Sequence, residues 1–376
     1  MNPKLSKINI ALGGGGVRGI AYIGVFAEAY DRGYKWGNIA GVSAGALAGS
    51  FLSAGMSPYE MWKNLNEFDF EEVQFSKIPK KVPVIERYLE FVHRTRTTGE
   101  ESIKNFFSRK YNFDDFVNED ESDQDQYLER SNFFKNIATF AKEGSLFDGD
   151  YLEEWISICL RKKGIRTFGD LRGGTVDKQN PKGYKLRVTG VDCTRAKLVV
   201  LPDDLEFYGI NPDEFEVAKA IRISTCNPFA FKPVEIKKTE GKKTKTYYLI
   251  DGGALDSFPH WAINAETAKA VGFVLKDGNK KPGFFSLNTA LDILKSIISA
   301  IHDPGLPKDK EIKIKYIGEI LISPKISMLD FNLSNDDKVH MFNAGKNEAY
   351  KVFNKMERDL MRYRRGFFYP FSFFRY

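Results

Sequence analysis

Histidine and cysteine are scarce in this chain: four and three among 376 residues. Cys159, Cys193 and Cys226 stand far apart, with neither metal-type spacing nor a disulfide framework, which points to a reducing compartment. His93, His260, His302 and His340 form no H-E-x-x-H or comparable pair, so no zinc site is expected. No cofactor is expected in this chain. No uncharged apolar run reaches the roughly 18 residues that span a bilayer. No apolar h-region with a cleavage site follows the first residues, so no secretory signal is read and the expected location is cytoplasmic. Charge of one sign is not abundant either. The net +6 is mild for this length, and nucleic-acid binders concentrate charge more strongly. It still suits an anionic membrane surface. The composition is otherwise globular, 42% hydrophobic and 28% charged, with material for a real core.

Glycine, by contrast, is concentrated. The apolar run Ile8–Leu12 reads as a buried strand, and Gly13-Gly14-Gly15-Gly16-Val17-Arg18-Gly19 follows it directly. Four consecutive glycines are costly in chain entropy. A fold keeps such a loop where something negative sits against its amides, either a phosphate or a developing oxyanion. Gly14, Gly16 and Gly19 fit the dinucleotide fingerprint G-x-G-x-x-G. That fingerprint needs an acid about 20 residues on. Tyr34 to Gly41 contains none, so the fingerprint fails at its confirming residue.

A helix over residues 20–30 and a second short strand ending at Gly41 come next. Gly41-Val42-Ser43-Ala44-Gly45 then leads into the small-residue helix that ends at Gly55. Strand, glycine loop, helix, strand, sharp turn, helix opens an α/β sandwich with parallel strands. Ser43 therefore sits in a G-x-S-x-G turn. A serine on a strained strand-to-helix turn presents its hydroxyl, and glycine on either side tolerates the crowding. The Ala44 amide starts the helix and can donate to an oxyanion. A serine nucleophile needs a base. His302, within His302-Asp303-Pro304-Gly305, is the histidine candidate for a Ser-His-Asp esterase. Asp251, at a strand end before Gly252 and Gly253, is the better-placed group, although Asp-Gly also makes ordinary turns. A non-hydrolytic phosphate- or nucleotide-binding protein is the third reading, with the glycine loop as an anion nest.

Further along, Ser57-Pro58 reads as a helix cap with proline in the first turn. Residues 76–96 are basic and 114–125 acidic; 57–145 reads as a helical cap or as solvated surface. Helix is expected over 147–172, 216–224, 259–268, 288–301 and 335–364. Strands are expected over 184–191, 197–201, 272–275 and 312–322, with a hairpin over 232–236 and 245–250. No internal repeat or linker appears.

Three motifs in this order, Gly13–Gly19, Gly41–Gly45 and Asp251-Gly252-Gly253, resemble the patatin-like phospholipase family. Ile221 to Pro233, read as Ser-x-x-x-Pro-x-x-Phe-x-Pro from Ser224, is similar to a fourth family stretch. The resemblance covers about residues 8–275 and loosens beyond. It implies a three-layer α/β/α sandwich with a central, mostly parallel sheet and a helical insert after the nucleophile helix. It implies a Ser-Asp dyad with Ser43 as nucleophile and Asp251 as proton acceptor, without a histidine. The amides of Gly14, Gly15 and Gly16 would hold the oxyanion, and Arg18 would organise the loop or counter a phosphate. Ser257 is a departure, since the family often has asparagine there. The implied activity is hydrolysis of acyl esters of phospholipids or lysophospholipids at a membrane surface.

The expected division is a catalytic domain over 1–330 and a C-terminal helix with a basic-aromatic tail over 331–376. The tail, 362–376, holds eight aromatics and four arginines and no acid. Such a tail suits a bilayer interface, peripherally, or docks into its own groove or a sister subunit of a homodimer. The 57–145 insert could carry a regulatory ligand, but no residue in it names one.

Overall fold

The computed structural model describes residues 7–68, 149–228, 230–264, 269–278, 313–326, 328 and 333–367. The basic and acidic runs at 76–96 and 114–125, the expected helix at 288–301, His93, His302 and the last nine residues of the tail lie outside them. The elements in chain order begin with β1 (Ile8–Leu12), α1 (Ala21–Asp31), β2 (Trp36–Gly41), α2 (Ala44–Ser53) and α3 (Pro58–Glu67). They continue with α4 (Asp150–Arg161), β3 (Leu186–Asp192), β4 (Lys197–Leu201), α5 (Val217–Ser224), β5 (Val234–Glu240) and β6 (Lys243–Asp251). Strands β7 (Ala270–Asp277) and β8 (Tyr316–Ile322) precede the long helix α6 (Asn335–Phe367).

One mixed sheet organises these elements, paired in the order β5-β6-β3-β2-β1-β7-β8 with β4 also on β3. The pairings β3-β2, β2-β1, β1-β7 and β7-β8 are parallel; β4, β6 and β5 add antiparallel ladders. β1 is buried along its whole length, as an apolar strand at the centre of a parallel sheet must be. Its side chains alternate between two clusters. Ile10 and Leu12 join the main core, whereas Ala11 faces Phe258, Ala262 and Ile263.

Helices α1, α2 and α6 pack over the Ile10–Leu12 face. The small residues of α2 let it press on the sheet: a Cβ on Gly49 would meet methyls of Ile39, Leu186 and Leu12. α6 lies against α1, where the Gly345 Cα meets the Ala21 carbonyl and Gly24 meets the Phe342 carbonyl. Met341, Ala349, Val352, Phe353 and Met356 make its buried stripe, spaced as one face of a helix. α3 begins as its sequence indicates. Ser57 and Glu60 exchange hydrogen bonds in a full capping box, and Pro58 occupies the first turn.

The expected helix over 259–268 is not formed in its described part, 259–264. Only a 3-10 turn exists, over His260–Ala262, and Ile263 is extended; 265–268 lie outside the described residues. Pro259 removes an N–H, and the Asp256 carboxylate accepts the Phe258 N–H (3.0 Å) and the Trp261 Nε1–H (2.6 Å). That side-chain bracket replaces a helical ladder. Among the described residues no helix is long and apolar enough to cross a membrane. Nor is any group of three His, Cys, Asp or Glu placed among them to hold a metal ion.

Candidate active site

Ser43 occupies the tight turn between β2 and α2 at φ 52°, ψ −122°. A non-glycine residue at such a φ is strained by roughly 1–3 kcal/mol, and folds keep it where the strain serves a purpose. The neighbours explain how the turn closes. A Cβ on Gly41 would strike the Gly45 carbonyl, and one on Gly45 would strike the Leu12 and Gly13 carbonyls. The first turn of α2 thus rests directly on the end of β1 and the start of the glycine loop. Gly19 in turn meets the Ala44 methyl. The two glycine motifs are one packed unit, with Ser43 at its edge.

The loop itself is held from below. Gly13 donates to the Phe273 carbonyl (2.9 Å) and Gly14 to the Ser257 carbonyl (3.0 Å). The buried Tyr22 hydroxyl donates to the Gly13 carbonyl at 2.7 Å, and burial holds that phenol well above its ordinary range. Val17 donates to the Met328 carbonyl (3.0 Å). This narrows the expected cradle. The Gly14 amide is committed to the protein, whereas the Gly15, Gly16 and Ala44 amides meet no acceptor among the described residues. Ser257 supports the loop through its main chain, so the side chain at 257 does not decide this contact. Arg18 is buried and turned away. Its Nε donates to the Ile326 carbonyl (2.8 Å) and its guanidinium pairs with Asp277 at the end of β7. These contacts tie the glycine loop to Ile326 and to the end of β7.

Asp251 reaches the site through the register of β3. Gly41 of β2 pairs with Val188, and Asp251 of β6 pairs with Gly190. β4 pairs with β3 from Val188 through Asp192 and so fills one edge of this stretch. β2 and β6 must therefore share the other edge and meet end to end. Asp251 stands two rungs beyond Gly41, about 7 Å along the strand. Ser43 lies two residues beyond Gly41 in the chain, past the same end of β2. Gly252 follows Asp251 because a Cβ there would meet Thr189. The Asp251 carboxylate is fully buried, and its Oδ1 accepts the Gly253 N–H at 2.8 Å. No hydrogen bond joins it to the Ser43 hydroxyl in the structure; in unliganded sites such bonds are often long and tighten with substrate.

The end of α5 ties the two together. Ser224 Oγ accepts the Ser43 N–H (3.0 Å), and the Cys226 carbonyl accepts the Asp251 N–H (2.9 Å). Burial pushes the Cys226 thiol up, keeping it a neutral neighbour of the acid. The positioning role of Ser224 went unseen from the sequence; its only signal was the Ser-x-x-x-Pro stretch. Ser224→Ala leaves a buried N–H without its acceptor, at a cost of about 1–3 kcal/mol. We expect kcat on an acyl ester to fall about tenfold or more with KM nearly unchanged, and Ser224→Thr to restore part of it. Steady-state kinetics with thermal unfolding in parallel checks this.

Ser43, 6% exposed, opens onto an apolar cleft of about 160 Å³. Leu47, Phe51, Met61, Phe68, Trp155 and Phe231 line it. Trp155 fixes the aromatic wall, edge-on to Phe51 at 5.5 Å and tilted on Phe68 at 4.6 Å. His260 is buried beside Phe258, on the opposite face of the sheet, and His340 is exposed on α6. Neither shares the cleft.

The family profile described as "Patatin-like phospholipase" matches residues 10–263. The chain is 28% identical over 339 residues to the uncharacterized protein YqhO of Bacillus subtilis (strain 168), spanning 89% of this chain and 93% of that one. It is 22% identical over 361 residues to protein R571 of Acanthamoeba polyphaga mimivirus, spanning 92% and 95%. Among solved structures, VipD from Legionella pneumophila is similar at a TM-score of 0.48 and 16% identity, with 94% of this chain and 67% of VipD covered. With its profile match running from β1 past Asp251, this chain belongs to the patatin-like phospholipase family and so to a group of lipid acyl hydrolases.

Proposed function

We propose that this chain hydrolyses acyl esters of membrane phospholipids or lysophospholipids through a dyad of Ser43 and Asp251. The observation that carries the reading is the junction at Ser43. A strained serine follows the end of β2 beside the uncommitted Ala44 amide, opens onto an apolar cleft, and has the buried Asp251 carboxylate two rungs of β3 beyond Gly41. An acyl chain fills the cleft, and its ester carbonyl comes to rest over Ser43. Ser43 Oγ attacks that carbonyl as its proton passes to Asp251. The Gly15, Gly16 and Ala44 amides receive the oxyanion. Collapse of the tetrahedral intermediate expels the alcohol, which takes the proton back from Asp251. Water then attacks the acyl-enzyme, giving its proton to Asp251, and the fatty acid leaves as Ser43 Oγ is reprotonated. Positioning and preorganised donors supply the catalysis, and the chemistry calls for no metal.

The substrate places the enzyme at a membrane surface, peripherally. The test is a product profile: mixed phospholipids and lysophospholipids incubated with wild type and with Ser43→Ala. We expect free fatty acid from wild type alone, and covalent labelling of wild type alone by a fluorophosphonate. Fatty acid release that survives in Ser43→Ala overturns the reading.

A further inference from the structure

We propose that the β5–β6 hairpin is a docking element for the anionic headgroups of a lipid bilayer. The stretch from Lys232 to Lys245 holds six lysines against two glutamates, a surplus of four positive charges in a chain whose net is +6. Lys232, Lys237, Lys242, Lys243 and Lys245 are exposed. Glu240 is bound to Lys238 (2.6 Å), whereas Lys237, Lys242 and Lys243 have no ion pair among the described residues. Topology aims this charge. β6 descends antiparallel to β3, with Leu249 opposite Asp192 and Asp251 opposite Gly190. Residues before Leu249 therefore project past the carboxyl end of β3, the same end of the sheet at which Ser43 stands. The ladder from Val234–Leu249 to Glu240–Lys243 carries the ribbon about 20 Å beyond that rung. Its root is Phe231, which lines the cleft, and Asp251. A bilayer met by the lysines at the tip faces the end of the sheet that carries the nucleophile.

The choice of a lipid surface over other polyanions rests on the reading of the cleft as an acyl site. The experiment separates the two. Full-length Ser43→Ala protein, which cannot consume the vesicles, is mixed with vesicles of phosphatidylcholine alone or of phosphatidylcholine with phosphatidylglycerol. Sedimentation reads the bound fraction. We expect binding to the mixed vesicles only, weakened by added salt. Lys237→Gln, Lys242→Gln and Lys243→Gln together should weaken it by about fivefold for each lysine, on the order of 100-fold in all. The same three substitutions in the wild-type background should leave hydrolysis of a soluble ester and fluorophosphonate labelling of Ser43 unchanged. That labelling reports on the acyl-hydrolase reading by itself. Lysines on exposed strand edges also guard against edge-to-edge pairing. If that is their whole role, or if the aromatic tail alone anchors the chain, the triple variant binds mixed vesicles as its parent does. That result overturns the proposal, as does a parent that ignores phosphatidylglycerol.

Discussion

Ser43→Ala lowers kcat on a soluble acyl ester by on the order of 10⁴- to 10⁶-fold, and Asp251→Asn lowers it by on the order of 10²- to 10⁴-fold. The double variant is no slower than Ser43→Ala alone, because a nucleophile and its base act as one unit. Asparagine is chosen because its Oδ1 can still accept the Gly253 N–H that Asp251 accepts at 2.8 Å, so the turn after β6 survives. It cannot take a proton from Ser43. A carboxylate that only shaped the turn would lose nothing on this exchange. Steady-state kinetics over the single and double variants, with circular dichroism to confirm the fold, checks the result. Full turnover in Asp251→Asn removes the dyad, and a double variant much slower than Ser43→Ala shows two independent contributions.

Gly16→Ala lowers kcat by on the order of 10²- to 10³-fold, the loss seen when an oxyanion donor is misplaced. Gly16 has φ 58°, and a Cβ there would lie within the Met328 carbonyl. The loop must move away, and the Val17 N–H bond to that same carbonyl (3.0 Å) goes with it. The amides of Gly15 and Gly16 then point elsewhere, and because Gly16 and Met328 also line the cleft, KM rises to a smaller extent than kcat falls. Gly33→Ala is the matched control. Its φ is 72°, equally left-handed, but a Cβ there meets nothing within 4 Å and the residue is remote from the cleft. It costs about 1 kcal/mol of stability and no activity. Comparable kcat losses in both variants would mean that general destabilisation, and not the cradle, is being read.

Much of the scaffold was legible because it is local. The strand at Ile8–Leu12 was read at the residues where it occurs, since five apolar residues closed by glycine leave little choice. The capping box at Ser57 and Glu60 and the helix ending at Ser224 were legible for the same reason. Local pattern failed over 259–264, where Trp261, Ala262 and Ile263 join the cluster of Ala11 and Ala40 from a turn bracketed by the Asp256 carboxylate. The chemical identity of Ser43 and Asp251 as candidates came from their motifs. Their juxtaposition could not be read, because it depends on β4 filling one edge of β3 and leaving β2 and β6 the other. The same holds for Ser224, whose bond to Ser43 spans 181 residues of chain. The pairing of Arg18 with Asp277, at the end of β7, is non-local in the same way.

The head-to-head meeting of β2 and β6 also has a meaning in time. Ser43, its turn and the glycine loop belong to the first strands and helices of the chain, and leave the ribosome early. Asp251 cannot take its place until β3 has been laid beside β2 and the β5–β6 hairpin has folded back onto it. Such non-local pairings are the slow steps of folding. On the proposed dyad, a growing or partly folded chain holds a nucleophile without a base. The proposed pair is complete only once both partners of β3 are in place, although more than 200 residues of chain separate its two members.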